Sequence, residues 1–242
     1  MNRSGHQGAG LQAVDEGLWI VEGGLVSFYG FPYPTRSVIV RLGGGDLWVW
    51  SPVALSPELE AGVRALGVVR HLVSPNKLHH LFLKPWQERF PDARLWGPAS
   101  VHKKRRDLTF KSALEDVPPP EWEPDLDLTW FTGSPVLDEI VFFHRPSRTV
   151  VIGDLSENFS EAFLKTHWTA PARVMARAWG IAEGRGYAPL EWRVSWFRRA
   201  SARRALAKML AWNPERVIMA HGEWQREGGR SYLERAFSWL TG

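Results

Sequence analysis

Histidine and aspartate side chains follow three apolar runs of the sequence and could together hold a metal ion. His79 and His80 come shortly after "VRHLVSP", Asp154 ends "TVVIGD", and His221 ends "RVIMAH". Imidazole and carboxylate are suitable ligands for zinc, and also for iron(II) or manganese. The residue types therefore raise the hypothesis of a metal site made of three histidines and one aspartate.

Such a site requires the three apolar runs to be strands whose carboxyl ends meet. Each run is rich in β-branched residues and is followed by a turn, which is typical of strands. Binding sites of α/β proteins gather at the carboxyl ends of strands. The shared position of the candidate ligands favours a metal site over three unrelated features.

Structural interpretations of the same residues stay open. Paired histidines at the start of a helix could be capping or surface residues. Asp154 could be a helix N-cap, and His221 in "HG" could be an ordinary turn residue. His144, which ends "EIVFFH", could be a further ligand or a proton donor, although a surface position at a hairpin end is the simpler interpretation.

Composition limits the kind of protein. With 242 residues, 44% of them hydrophobic, the chain is long enough for one well-buried domain over residues 1–242. The absence of cysteine excludes disulfides and thiolate ligands. No segment has the pattern of a signal peptide or a membrane span, so we expect a cytoplasmic protein without a membrane partner. The net charge of +4 is only a hint of anionic partners.

The rest of the sequence alternates strand and helix signals. Early strands are predicted in "LWIVEGGLVSFYG", "RSVIVRL" and "LWVWSP", with a turn at "GGGD". A helix capped by Ser56 with Pro57 at its first position follows, and a second helix is predicted over "HHLFLKPWQERFP". "EIVFFH" and "RTVVIGDL" read as a hairpin, and "SARRALAKMLAW" as a helix. We expect a flexible N-terminus over 1–16 and two mixed sheets covered by helices, a layered α/β architecture.

Several motifs of the chain resemble those of the metallo-β-lactamase-like superfamily. The resemblance rests on "SPNKLHH" after a strand, on "VVIGDL" and on "WNPERVIMAHGE", and it covers the chain from about Val26 to the end. "FPYPTRSVIVRL" and "NKLHHLFLKPWQERFPDARLWGP" are similar to an uncharacterised branch, a family of domains of unknown function. The resemblance implies a four-layer αββα sandwich.

The superfamily signature is Thr-His-x-His-x-Asp-His, and this chain departs from it. Pro75 and Lys77 stand where the two histidines of the first metal are expected, and "TGSPV" lacks a third histidine. The resemblance therefore implies that the first metal site is lost. It also implies a retained second site for one metal, made of His79, His80, Asp154 and His221, with histidine in place of the aspartate of the signature.

The resemblance also implies a function for Lys77 in charge compensation. Its ammonium would lie where the first metal's charge normally lies, and it could offset the charge of Asp154. Lys77 and Asp154 are therefore the candidate catalytic residues. A solvated loop lysine is the structural alternative.

Three functions remain open from the sequence. A retained metal favours a metal-dependent hydrolase of esters, thioesters, lactones or phosphoesters, with a small-molecule substrate. If the site is degenerate and holds no metal, the chain would be an inactive binding or scaffold protein. A nucleic-acid surface at "HKKRR" is the least favoured, because the surrounding run "VHKKRRDLTF" offers a single phenylalanine for base stacking and most tryptophans are expected in the core.

A tryptophan-rich segment over 168–197 is the last feature with a predicted role. It lies where relatives of this fold often carry a lid, so it could be a lid or an insertion. Most of its aromatic side chains are expected to pack onto the sandwich, and one or two could face the site: Trp168, Trp179, Tyr187, Trp192 and Trp196.

Overall fold

Two β-sheets form the centre of the protein. A computed structural model describes residues 10–241. The first sheet has seven strands in the order β1 to β7. Their bounds are β1 Leu11–Asp15, β2 Leu18–Phe28, β3 Phe31–Arg41, β4 Asp46–Trp50, β5 Val68–Val73, β6 Arg94–Gly97 and β7 Phe110–Ala113. The second sheet has four strands in the order β11, β10, β9, β8, which are β8 Leu126–Phe131, β9 Glu139–His144, β10 Thr149–Ile152 and β11 Arg216–Met219.

Strand direction explains where the candidate ligands lie. In the first sheet β1 to β4 pair antiparallel, whereas β4, β5, β6 and β7 pair parallel. In the second sheet β10 and β11 are parallel neighbours. Neighbouring parallel strands end at the same edge of their sheet, so the residues that follow β4 and β5, and those that follow β10 and β11, are brought together in pairs.

Helices flank both sheets. They are α1 Pro57–Leu66, α2 Leu83–Arg89, α3 Ala99–Lys104, α4 Glu161–His167, α5 Ala170–Trp179, α6 Leu190–Ser195, α7 Arg199–Ala211, α8 Gly229–Ala236 and α9 Ser238–Thr241. Helix α1 begins as the sequence predicts, because the Ser56 hydroxyl accepts the Leu59 amide at 3.2 Å and Pro57 occupies the first turn.

Three apolar cores show the layering. The central core joins the facing sides of the two sheets, with Trp48 and Trp50 of β4 packed against Phe142 of β9 and its neighbours. A second core joins the first sheet to α1 and α2, and a third joins the second sheet to α6, α7, α8 and α9. Helix, sheet, sheet and helix are thus held by three buried layers of side chains. The four-layer αββα sandwich predicted from the sequence is confirmed.

Several local predictions need correction. The helix predicted over "HHLFLKPWQERFP" begins only at Leu83. Before it the chain turns, because the Ser74 hydroxyl donates to the carbonyls of Asn76 and His79, and the Asn76 side chain accepts the Leu78 amide. Such side-chain bonds to nearby backbone compete with helix formation. Strand β7 had no sequence signal, since it is a short edge strand with mostly exposed side chains.

The N-terminus differs from expectation in part, whereas the tryptophan-rich segment packs largely as expected. Residues Leu11–Asp15, which lie in the N-terminus expected to be flexible, form β1 against β2. The expectation also covered residues 1–9, which lie outside the residues that the structure describes. Trp168, Trp192 and Trp196 are buried in apolar cores. Over residues 10–241, none of the helices is long and apolar enough to cross a membrane.

Candidate metal centre

His79, Asp154 and His221 converge where the two sheets end. His79 lies in the turn after β5, and Asp154 and His221 each lie two residues after the end of their strands, β10 and β11. One possible ligand atom from each of the three side chains lies within 4.8 Å of the others. The side chains are almost fully buried, with 7% of His79, 7% of Asp154 and 9% of His221 exposed. The structure thus brings together three of the four ligands predicted from the sequence.

The distances within this group match ligands of one metal ion. His79 Nε2 lies 3.2 Å from Asp154 Oδ2, and His221 Nε2 lies 3.3 Å from Asp154 Oδ1. Zinc bonds of about 2.0 to 2.1 Å in a tetrahedral arrangement separate two ligand atoms by roughly 3.3 Å. The side chains therefore have a suitable spacing before any rearrangement.

The hydrogen bond of the His221 ring identifies which ring nitrogen carries the proton and which one faces Asp154. Its Nδ1 lies 2.7 Å from the carbonyl oxygen of Pro34, and a carbonyl can only accept, so Nδ1 carries the proton. In the neutral ring Nε2 then presents a lone pair to the carboxylate of Asp154. Two acceptors that face each other at 3.3 Å require a proton or a metal ion between them. A ligand histidine held by a backbone carbonyl through its other nitrogen is a common arrangement in metal sites.

His79 is held in a similar way. Its Nδ1 lies 2.6 Å from Ser51 Oγ, at the end of β4, and its ring packs on Trp50 with centroids 5.7 Å apart. These contacts direct Nε2 towards Asp154. Neither Ser51 nor Trp50 was predicted as part of the site, because the contact joins residues 28 positions apart.

Asn76 and Glu139 hold Asp154 from behind. The Asn76 side-chain amide donates to Asp154 Oδ2 at 2.7 Å and to Glu139 Oε2 at 2.9 Å. Glu139 also accepts the backbone amides of Gly153 and Asp154, at 2.8 and 2.7 Å. The carboxylate of Asp154 is therefore fixed by a fully buried network that the sequence did not predict.

The two buried carboxyl groups differ in charge. Burial acts to raise the pKa of Asp154, but the charge of His79 and the hydrogen bonds from His221 and His79 hold it well below its usual range. Burial, followed by the charge of Asp154, raises the pKa of Glu139 to about 8. Asp154 is thus the group that carries the negative charge, as a ligand for a cation must.

The turn after His221 depends on a glycine. Gly222 has φ +89°, and a Cβ there would collide with the carbonyl oxygen of Asn158. A bridge between Gly222 and Asn158 holds the two segments side by side. The close approach lets the chain turn away immediately after His221 has entered the site.

His80 and Lys77 do not belong to the cluster of His79, Asp154 and His221. The Arg105 guanidinium lies 3.3 Å from His80 Nδ1 and donates to the His80 carbonyl at 2.8 Å. Because a guanidinium only donates, Nδ1 of His80 accepts, the proton is on Nε2, and neither nitrogen presents a free lone pair. Burial, Lys104 and Arg105 lower the pKa of His80 to about 4. Asn76, rather than Lys77, contacts Asp154, and the predicted role of Lys77 stays a prediction.

His144 lies in another part of the molecule. It is buried, with 2% of the residue exposed, and its Nδ1 bonds Ser147 Oγ at 2.7 Å within the hairpin turn. The surface position favoured from the sequence is therefore wrong. Hairpin-end residues are often exposed, but this ring is held inside the turn by its hydrogen bond to Ser147.

A cavity of about 190 Å³ opens above the three side chains. His79, Asp154 and His221 line it together with Ser51, Tyr33 and Arg36. The five aromatic residues of the tryptophan-rich segment are not among its lining residues. The candidate ligands are thus accessible to a small molecule although they are largely buried.

Comparison with known proteins agrees with this fold. Solved metallo-β-lactamases are similar to the chain over almost its whole length. The enzyme from Pontibacter korlensis has a TM-score of 0.63 and 12% identity, covering 96% of this chain and 98% of that one. The enzyme from Erythrobacter litoralis has a TM-score of 0.64 and 13% identity, with 96% and 95% covered.

A third similar structure is that of a metallo-β-lactamase that contains zinc. It is FIM-1 from Pseudomonas aeruginosa in its mono-zinc form, with a TM-score of 0.60, 13% identity, and 96% and 94% of the chains covered. At such identities the likeness shows the fold alone. No curated protein matches the sequence.

A family model gives the assignment. The model described as a domain of unknown function, DUF4336, matches residues 16–183, which is more than half of the chain. The solved structures confirm the metallo-β-lactamase fold that the resemblance implied. The chain therefore belongs to the DUF4336 family and has the metallo-β-lactamase fold.

Proposed function

We propose that this protein is a hydrolase that depends on a single divalent metal, zinc first among the candidates, held by His79, Asp154 and His221. One observation carries the proposal. Three ligand atoms of suitable chemistry lie within 4.8 Å of one another at the floor of an open cavity. The mono-zinc form of a structurally similar metallo-β-lactamase supports the choice of one ion.

The number of protein ligands favours a catalytic role. Structural zinc sites usually have four protein ligands, whereas catalytic sites have three and leave a position for water or substrate. The four-ligand site implied by the sequence would have been closed. With His80 engaged by Arg105, three protein ligands would remain for a bound metal, and the cavity that they line would give water or substrate access to it.

The chain's own residues have distinct tasks in this proposal. A bound divalent metal supplies Lewis acidity, which polarises the substrate and makes water nucleophilic at neutral pH. Asp154 contributes the negative charge, and Asn76 holds one of its oxygens. Ser51 and the Pro34 carbonyl orient the two imidazole rings. The side chains of His79, Asp154 and His221 are largely buried, which strengthens the electrostatic interactions among them.

Metal content of the untagged protein tests the proposal. We expect about one equivalent of zinc, iron or manganese in the wild type, and loss of it in His79→Ala, Asp154→Asn and His221→Ala. His80→Ala is the matched control, because it removes the neighbouring histidine and should leave the metal content unchanged.

Turnover completes the test. The metal-loaded wild type should hydrolyse at least one member of a panel of aryl esters, thioesters, lactones and phosphoesters, and His79→Ala should not. A wild type that neither contains metal nor takes it up would contradict the proposal and favour the binding or scaffold protein. Loss of the metal in the His80→Ala variant would show that His80 is a metal ligand, as the sequence predicted.

A further inference from the structure

The wall of the cavity above the candidate metal centre is largely apolar. Its apolar lining residues come from β2, the turn after β4 and the segment around His79 and His80: Val26, Phe28, Pro52, Leu78, Leu81 and Phe82. Leu81 is 53% exposed at the rim. A ligand with a compact apolar part would therefore remove exposed apolar surface from water when it binds.

Most polar side chains of the cavity already have partners. Ser51 bonds His79, and His80 bonds Arg105. The guanidinium of Arg36 is paired with Glu22 at 2.7 Å and also donates to the Met219 carbonyl at 2.6 Å. These groups are committed to the protein and leave little capacity for a ligand.

Among the charged residues that line the cavity, Lys104 is the exception. It is the last residue of α3 and lines the cavity. Within residues 10–241, neither an ion pair nor a hydrogen bond of its ammonium is found. Asp154 is the one acidic residue among the lining residues, and its carboxylate faces the two histidines. The cavity thus offers a cation without a counterion.

The surroundings of Lys104 make an anion favourable there. Burial, followed by the positive charge of Lys77, lowers the pKa of Lys104. Lys77 likewise has no ion pair in the described part of the chain. An anion beside Lys104 would offset both the lost solvation and the repulsion between the two lysines.

We propose that the cavity binds acyl esters or thioesters with a compact apolar chain that ends in an anionic group, a carboxylate or a phosphate, held by Lys104. The apolar chain lies against Val26, Phe28 and Leu81, and the carbonyl carbon faces the metal centre. This substrate class rests on the proposed hydrolase function. In the reaction water adds to the carbonyl carbon, the bond to the leaving oxygen or sulfur breaks, and that atom takes up a proton.

Matched esters test the substrate class. The zinc-loaded wild type is given 4-nitrophenyl esters of butyric and hexanoic acid, and the corresponding half-esters of succinic and adipic acid, which differ by the terminal carboxylate. We expect kcat/KM to be higher for the anionic member of at least one pair. Esters that end in a phosphonate instead show which anion the site prefers.

Lys104→Gln identifies the residue. One partly exposed charge contact corresponds to about a fivefold change, so this variant should lose about fivefold in kcat/KM for the anionic ester and nothing for the neutral one. Lys103→Gln is the control, since it makes the same change at the neighbouring lysine, which is exposed like Lys104 but does not line the cavity. The difference should shrink at high salt.

A binding measurement separates this inference from the hydrolase function. Adipic acid monoamide and hexanamide are titrated into the zinc-loaded and the metal-free protein by calorimetry. If the anionic amide binds more tightly than the neutral one, and if Lys104→Gln weakens that preference, the anion site is supported even without turnover. Equal binding of both amides, or equal losses in Lys103→Gln and Lys104→Gln, would overturn it while leaving a metal-dependent hydrolysis intact.

Discussion

Two buried histidine environments in this protein have opposite electrostatic character. His71 lies on β5, inside the sandwich, and is 3% exposed. Trp96 Nε1 donates to its Nδ1 at 3.1 Å, and the ring of Trp122 packs edge-on with centroids 5.7 Å apart. Burial among apolar neighbours lowers the pKa of His71 to about 4. This histidine is a neutral packing residue.

His79 and His221 are as deeply buried but face a carboxylate. Each presents Nε2 to Asp154, and each has its other nitrogen fixed by an oxygen atom. Burial alone therefore does not tell a structural histidine from a ligand. The decisive difference is the group that the ring nitrogen faces. Nδ1 of His71 faces the indole N–H of Trp96, whereas Nε2 of His79 and of His221 faces the carboxylate of Asp154.

The largest expected effect is the response to metal. Free zinc at about 1,000 times its dissociation constant should raise the free energy of unfolding by about 4 kcal/mol, since the folded state alone holds the assembled site. Denaturant unfolding should show this gain in the wild type and in His71→Asn, but not in His79→Ala. If zinc no longer raised the free energy of unfolding in His71→Asn, the metal would bind at His71 and the proposed site would be wrong.

The next effect is the pH dependence of stability in the metal-free protein. His71 has a pKa of about 4 in the folded state and about 6.5 when unfolded. The unfolded chain therefore binds more protons between these values. The stability from neutral His71 is fully present above about pH 6.5 and is lost as the pH falls towards 4, up to about 3 kcal/mol.

His71→Asn should flatten this dependence, because an amide oxygen can accept from Trp96 but does not titrate in this range. Urea unfolding at several pH values measures the change in slope. Other buried histidines with a lowered pKa, His80 and His144, leave a residual slope in the variant. An unchanged slope in His71→Asn would show that this ring is protonated inside the fold.

The smallest effect concerns the support of His79. Ser51→Ala removes the hydroxyl that holds Nδ1, and loss of such a partner typically weakens metal binding about 10- to 100-fold. Ser37→Ala is the control, because its hydroxyl is also buried but bonds the Trp50 carbonyl at 2.7 Å. Competition with a zinc chelator measures both affinities. Equal losses would mean that the hydroxyls act through packing alone.

Much of the fold could be predicted from local sequence signals. The Ser56 cap, the β9 to β10 hairpin and the strands before Asp154 and His221 depend on residues close in the chain, where turn and capping chemistry act. Strand β7 and the late start of α2 were missed, because an exposed edge strand has no alternating pattern and the turn at Ser74 depends on side-chain bonds to backbone.

The candidate site was predictable in type but not in detail. Its residue types and their positions at strand ends pointed to a metal centre. The bonds of Asn76 to Glu139 and Asp154 join positions 63 and 78 residues apart, and no local pattern could reveal them. The same holds for the Pro34 carbonyl that accepts from His221 across 187 residues.

The sequence by itself determined which strands end in histidine or aspartate, and it excluded thiolate chemistry by containing no cysteine. Only the tertiary structure decided between the adjacent histidines. The turn after β5 directs His79 towards Asp154 and His80 towards Arg105. Two neighbouring side chains diverge when the backbone between them bends, and the direction of each is set by partners that the fold brings from distant parts of the chain.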